Sequence, residues 1–324
     1  MNWTSRGFAA ALAGLLVAAT PTAAPADDYP SQPIVMIVPF GAGGGTDIIA
    51  RTVSEELGPA LGGSIVVEAR PGANGAIGSA VVARAAPDGY TLLFTAQSTY
   101  SLNPNLTKEP LFDQLKDLVP VATIGRSPWL IAVPADSPFQ SIADVVAYGK
   151  ANPGKLAFPF WQSSVLVSGE TFARLGGFEM RRVPYKGQVE ATTDFLGGRL
   201  PIMVTDVAGA RAPVEAGTMR LLGTTTAART PAFPDVPTLT EQGLPVVTDS
   251  MLAVFAPAGT PQPILDRLNA ELSKIVATSE KVRDRLRQLG LEPTAMSQPE
   301  ADAFVRSELI RWADLIERAG LQKQ

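Results

Sequence analysis

The 324-residue sequence contains no cysteine and no histidine. Without cysteine there is no disulfide, no thiolate nucleophile and no Cys-ligated metal. Without histidine, every triad or dyad that needs imidazole is excluded, and so is His-ligated zinc. Charge is scarce at 18% of residues while hydrophobic residues reach 46%, so disorder along the whole chain is excluded. The net charge of −4 lacks the basic footprint of a nucleic-acid partner. No internal repeat, coiled-coil heptad or low-complexity tail is present. Carboxylate chemistry, Ser/Lys chemistry and oxygen-ligated cations remain open. What the chain does have is glycine and proline, 29 and 28 residues, with no collagen-like period. Its length suits two domains or one large one.

Met1–Ala26 reads as an export signal. Arg6 supplies the positive start, Phe8 to Ala19 is an apolar run, and Ala24-Pro25-Ala26 offers small residues at −3 and −1. The run is well short of the ~20 residues that span a bilayer. No cysteine stands at the cleavage point, so lipid anchoring there is excluded. The expected product is a soluble periplasmic protein.

The mature chain alternates apolar strands, glycine-rich loops and helices. Ile34–Val38 is an apolar run bounded by prolines, as in a buried parallel strand. A glycine loop follows, then a helix with Ile48, Ile49, Val53 and Leu57 on one face. Ser64–Glu68 and Tyr90–Thr95 are the next strands, with the Pro71–Gly75 loop and a helix between them. This βαβ order predicts a parallel sheet with helices on both faces. A second α/β unit is expected over about 127–248. It includes a capping box at Ser141/Asp144 and a helix placed around Gly169–Leu175. The tail adds a strand at Val254–Ala256, a helix opened by Thr260-Pro261, a short helix from Ser279 and a last helix with a capping box at Ser297/Glu300. It is too small to stand alone and is expected to return to the first half. The predicted organisation is therefore 27–126 plus 249–324 as lobe 1 and 127–248 as lobe 2, with two crossovers and a ligand cleft between them.

The sharpest local signal is Phe40-Gly41-Ala42-Gly43-Gly44-Gly45-Thr46-Asp47 between strand and helix. Such a loop exposes backbone N–H groups at the positive end of a helix, where phosphate or carboxylate fits. A dinucleotide fingerprint is defective, because Thr46 takes the third glycine position, although Glu68 imitates the ribose-binding acid. A Walker loop is excluded because no Lys-Ser/Thr pair follows. Asp47 would repel an anion, so its expected role is to accept loop N–H bonds and fix the loop. Gln97, Ser98 and Thr99 follow the third strand at the same sheet edge and add candidate donors.

These residues carry a family resemblance. Pro39-Phe40, Gly43-Gly44, Asp47 and Ala50-Arg51 open the pattern; Val67-Glu68, Arg70-Pro71-Gly72-Ala73 and Pro87-Asp88-Gly89-Tyr90 continue it. Asn103-Pro104, Val183-Pro184-Tyr185-Lys186-Gly187, Pro234-Asp235-Val236-Pro237-Thr238 and Phe255–Pro261 complete it. The chain resembles the substrate-binding proteins of the tripartite tricarboxylate transporter family, also called Bug-type receptors. The resemblance implies an α/β, type II-like periplasmic binding protein. It has two lobes, each a largely parallel sheet flanked by helices. It implies a monomer without cofactor or metal that binds a small organic carboxylate and delivers it to a two-component membrane permease. One carboxylate would sit on Phe40–Thr46 and the Gln97–Thr99 turn.

Departures from the family bear on specificity. The usual glycine- and serine-rich loop, often followed by a histidine, is replaced by Pro159-Phe160-Trp161-Gln162-Ser163-Ser164. Phe160, Trp161, Gln162 and Ser163 are therefore candidate ligand contacts, and the aromatic pair points to an apolar or flat ligand body rather than a polyanion. Ala69 stands where the family usually has asparagine. Thr205 and Asp206 match the cleft side of lobe 2 and suit a hydroxyl, an amino group or bridging water; Asp206 equally suits a helix cap. Two other readings are a sensing receptor that docks on a membrane sensor, and an NAD-linked or carboxylate-dependent enzyme. The second lacks a serine elbow.

Overall fold

The computed structural model describes residues 29–323; the expected signal segment lies outside them. The elements run β1 (Ile34–Val38), α1 (Gly45–Leu61), β2 (Ile65–Ala69), α2 (Ala76–Ala83), β3 (Thr91–Ala96), α3 (Asn103–Leu106) and α4 (Gln114–Asp117). Next come β4 (Leu118–Pro128), β5 (Leu130–Pro134), α5 (Ile142–Ala151), β6 (Leu156–Phe160), α6 (Ser163–Gly176), β7 (Met180–Pro184), α7 (Gln188–Leu196), β8 (Met203–Thr205), α8 (Val207–Glu215) and β9 (Met219–Thr224). The chain closes with β10 (Asp249–Pro257), α9 (Gln262–Thr278), α10 (Glu280–Gln288), β11 (Glu292–Pro293) and α11 (Gln298–Arg318). A single 3-10 turn, Ala73–Gly75, leads into α2, and a wide turn, Ser98–Leu102, joins β3 to α3.

The first body is a six-stranded sheet in the order β11-β4-β10-β3-β1-β2. The expected parallel arrangement holds for β1, β2 and β3, and for the β6–β7 pair in the second body. The remaining pairs are antiparallel, which the repeated strand–loop–helix pattern did not indicate. The reason is the chain path. β4 carries the chain out of the sheet at Pro128, and β10 brings it back at Asp249, which is paired with that same Pro128. A strand that leaves and a strand that returns at one point must be antiparallel neighbours. The second body holds the three-stranded sheet β8-β5-β9 beside the β6–β7 pair.

The six-stranded and three-stranded sheets are covered on both faces, as their apolar central strands require, whereas β7 at the edge of the two-stranded pair is largely exposed. In the first body Ile49, Val53 and Leu57 of α1 join Leu268 and Leu272 of α9 and Val282 and Leu286 of α10 against Ile34 and Met36. On the other face Ile37, Leu93 and Phe255 meet Val82 of α2 and Val305 of α11. In the second body Leu130 and Ala132 of β5 face α7 and α8, while Ile131 and Val133 face α5 and α6. Leu102, Val167, Trp312 and Ile316 form a separate buried cluster that joins α6 to α11 across the two bodies.

Several boundaries differ from expectation. α6 starts at Ser163, ahead of the Gly169–Leu175 stretch placed in a helix, so the segment after Phe160 is only a short turn. α8 follows Asp206, which caps it, in line with the helix-cap reading of that residue. The N-cap of α9 is Pro261, not Thr260, whose hydroxyl bonds the Pro257 carbonyl. Ser141 and Asp144 form the expected capping box, and Glu300 accepts from the Ser297 N–H at 2.9 Å.

The two bodies also meet where Gly290, at φ 72°, lies against Val207 at the start of α8; a Cβ at Gly290 would overlap the Val207 side chain. Gly290→Ala is expected to cost about 1–3 kcal/mol from overpacking and left-handed strain. Val207→Gly removes the Cβ that a Cβ at Gly290 would meet at 1.9 Å, so the double variant should lose less than the two single variants together. Urea unfolding of the three variants measures it, and fully additive losses would exclude this contact as the cause.

Candidate functional site

β1, β2 and β3 are adjacent and parallel, so the segments that follow them emerge at one sheet edge. Gly41–Gly45 is exposed there, and a Cβ built at Gly41, Gly43 or Gly45 would meet no atom within 4 Å. The loop backbone can therefore be approached without a side chain in the way. α1 begins immediately behind it. Its N-cap, Gly44, is extended and gives no side-chain cap. The first-turn N–H groups are left to an outside acceptor or water.

Asp47 lies in that first turn and is almost fully buried. Its carboxylate accepts from Gly43 N at 2.9 Å and from Arg51 Nε and Nη2 at 3.0 and 3.1 Å. It fixes the loop from below, as its position suggested. Burial pushes the Asp47 carboxyl up, but hydrogen bonds from Arg51 and Gly43 outweigh it and hold it below the usual carboxylate range. Arg51, from the Ala50-Arg51 pair of the family pattern, is its partner.

The second loop contributes a residue that motif reading passed over. Asn74 sits in left-handed backbone at φ 52°, a conformation asparagine tolerates. Its Nδ2 donates to Asn103 Oδ1 at 2.6 Å and to Ser163 Oγ at 2.8 Å. Its carbonyl accepts from Asn103 Nδ2 at 2.8 Å and Thr99 Oγ1 at 3.3 Å. Asn74 thus joins the first-body edge to the N-terminus of α6. Gly75, at φ 89°, packs so closely that a Cβ would lie 2.5 Å from Thr99 Oγ1 and 3.4 Å from Pro39. Pro39, Gly75 and Thr99 form a continuous strip beside the glycine loop. Ser98 is buried and its hydroxyl has no protein partner. The Gln97 side chain turns inward to the carboxylate of Glu308 on α11, leaving only its backbone at the turn.

In the second body Phe160, Trp161, Gln162 and Ser163 line a cavity of about 990 Å³, together with Asn74 and Asn103. The aromatic pair also packs on the core beneath, so each ring is shared between core and cavity. α6 has no side-chain cap at Gln162, and the Ser164 hydroxyl is buried without a partner. Lys108, Arg182 and Lys323 line the same cavity, and no Asp or Glu does among the described residues. Arg182 is already paired with Glu170 at 2.7 Å. The glycine loop, the Gln97–Thr99 turn and Thr205–Asp206 are not among the cavity's lining residues. Asp206 caps α8 through Gly209 N at 2.7 Å and accepts from Gln188 Nε2 at 2.8 Å. Burial pushes its carboxyl upward. Thr205 Oγ1 accepts from the same Gln188 amide at 3.2 Å.

Two α/β bodies joined by paired crossing strands define a two-lobed periplasmic binding protein. The sequence matches the profile described as "Tripartite tricarboxylate transporter family receptor" over residues 49–321, a span that starts just after the glycine loop. The chain belongs to this family, whose members are receptors and not enzymes. It is 38% identical to a UPF0065 protein of Bordetella bronchiseptica over 311 residues, 96% of this chain and 92% of the relative. It is 33% identical to the protein BugT of Bordetella pertussis over 320 residues, 96% and 97% of the two chains. Among solved structures, an R. palustris protein with adipate aligns with a TM-score of 0.83 at 31% identity, covering 92% of this chain and all of that one. MatC from Rhodopseudomonas palustris with bound malate aligns with a TM-score of 0.77 at 30% identity, covering 89% of this chain and all of MatC.

Asp47→Asn should lower stability at pH 7 by about 1–2 kcal/mol, since it weakens hydrogen bonds to a buried acceptor. The Asp47 pKa is lower in the folded than in the unfolded chain, so the contribution is complete above about pH 4 and fades as acid is added. Urea titrations of wild type and variant should therefore converge below that pH. A gap that stays constant down to pH 2 would mean that the Asp47 charge is not what holds the loop.

Proposed function

We propose that this chain is a periplasmic receptor that closes two lobes, 27–126 plus 249–324 and 127–248, around a small organic carboxylate. The carrying observation is the row of uncapped N-termini at one edge, led by Gly41–Gly45 and α1, which offers main-chain donors to an anion. One carboxylate sits on Phe40–Thr46 and the backbone of Gln97–Thr99, with the free Ser98 hydroxyl as a further donor. Asp47 holds that loop from beneath and does not face the anion. Phe160, Trp161, Gln162 and Ser163 meet the rest of the ligand, and Thr205 and Asp206 reach it through water or a ligand hydroxyl. The structures with adipate and malate support an acidic ligand. The aromatic pair, with Leu106, Leu166 and Tyr185 nearby, favours an extended or flat apolar body. The loaded monomer passes its ligand to a two-component permease after its signal segment is removed.

Thermal-shift screening of the mature chain against aliphatic dicarboxylates, aromatic carboxylates and citrate tests the ligand class. A true ligand at a hundred times its Kd adds about 2.7 kcal/mol of stability. Shifts by citrate alone would sink the apolar reading. Gly45→Leu tests the anion site by calorimetry. Position 45 has open space around it, so stability without ligand should stay within about 0.5 kcal/mol. Affinity should drop about tenfold or more. Full affinity in Gly45→Leu would remove the glycine loop from the site. Trp161→Ala should weaken adipate or an aromatic acid more than malate, and equal losses would place the ring outside the ligand's reach.

A further inference from the structure

The two crossings between lobes lie side by side. Trp129, between β4 and β5, and Thr248, before β10, are both bound to Thr225: Thr225 N donates to the Trp129 carbonyl at 2.9 Å, and Thr248 N donates to the Thr225 carbonyl at 2.8 Å. This is where the lobes must pivot.

An ion network with buried carboxylates and partly exposed guanidinium groups reaches that pivot from α11. Arg311 Nη1 donates to the Val247 carbonyl at 3.0 Å, and Nη2 donates to Asp249 Oδ1 at 2.9 Å. On its other side Arg311 grips Glu308, Nε to Oε1 at 2.7 Å and Nη2 to Oε2 at 2.5 Å. Arg126, near the end of β4, pairs with Asp249 Oδ2 at 3.0 Å. Both crossing segments are thus tied to one guanidinium, directly or through Asp249. Two acids and two guanidinium groups balance in charge, so neither buried carboxylate is left without a counter-charge.

The same network reaches the ligand edge. Glu308 Oε2 accepts from Gln97 Nε2 and from Trp312 Nε1, the latter at 3.1 Å. Gln97 is fully buried and is the residue between β3 and the Ser98–Leu102 turn. Its side chain points to α11, while its backbone leads directly into the Ser98–Leu102 turn. A displacement of that turn moves the Gln97 amide, which Glu308 shares with Arg311.

We propose that Glu308 and Arg311 are positioning residues that relay the state of the Gln97–Thr99 turn to the inter-lobe pivot. That this turn touches ligand rests on the reading given above; that it is coupled to the pivot does not. Ligand on the turn and closure of the lobes are then two faces of one equilibrium, each biasing the other.

The absence of cysteine makes the test direct. Val81→Cys on α2 and Val189→Cys on α7 are exposed positions on the two lobes and accept a spin-label pair. Inter-label distances are recorded without ligand, then with adipate and with malate. Gln97→Met cuts the relay at the turn without removing a charge, and Glu308→Gln cuts it at the centre. Each should broaden the ligand-free distance distribution, and the double variant should broaden it no further than the stronger single one. Affinity for whichever acid closes the wild type should fall roughly 2- to 30-fold. Should Glu308→Gln not fold, Gln97→Met alone carries the test. Unchanged ligand-free distances in Gln97→Met, with only a lower melting temperature, would overturn the relay and leave a purely structural role. Broadening that adds across the two variants would also overturn it. If neither acid closes the wild type, the ligand-free distances still decide. A failure of the Gly45→Leu test would count against the anion site and not against the relay.

Discussion

The chain leaves one lobe and re-enters it at a single point, and much of the architecture follows from that constraint. β4 and β10 must lie side by side and antiparallel, because one ends where the other begins. Their length, beyond that of the other strands in the sheet, gives the joint a stiff base on the first-lobe side. Both crossing segments run past Thr225, so relative motion of the lobes has one place to occur. Of the charges gathered beside it, Asp249 and Glu308 are buried, Arg126 and Arg311 are partly exposed, and each is paired with an opposite charge. An arrangement of that kind tolerates few intermediate geometries, which suits a two-position pivot better than a compliant one.

The second organising feature is where helix caps are missing. α5 and α10 start with serine side chains that satisfy their first N–H groups, and α4 and α8 start with aspartates. The helices that follow the parallel strands β1, β2, β6 and β7 have no such cap, nor has the turn after β3. Open donors are therefore concentrated at the strand ends that face the gap. α8, capped by Asp206 at that same side, is the exception. A receptor for an anion can work with main-chain donors alone, because the helix dipole and several N–H groups add up without a full charge. That makes release easier than a buried arginine would, since no bare cation is left behind when the ligand departs.

Much of this was legible in the sequence because the relevant signals are local. The apolar runs around Met36, Val67 and Phe94, the glycine loop, and the capping residues Ser141 and Ser297 each act within a few residues of themselves. Asp47 was readable for the same reason: its partners are Gly43 and Arg51, four residues away on either side. The direction of the Gln97 side chain was not legible because its partner, Glu308, lies 211 residues further on. Asn74 was passed over because its contacts, Asn103 and Ser163, come from two other segments. Strand direction was only half legible, since pattern alone does not distinguish a strand that returns from one that continues.

The sequence by itself determined the α/β class, the family, the exclusion of imidazole and thiol chemistry, and the anion-ready loop held by its own acid. These rest on residue types and on short-range bonding, which any chain with this order of residues must express. Only the tertiary structure decided which strands are antiparallel, that Phe160 and Trp161 share their rings between core and cavity, and that Arg311 ties α11 to the returning crossing while Arg126 holds Asp249 from β4. Those outcomes depend on closing long loops and burying charges against distant partners, and the free energy of doing so belongs to the assembled fold rather than to any one segment.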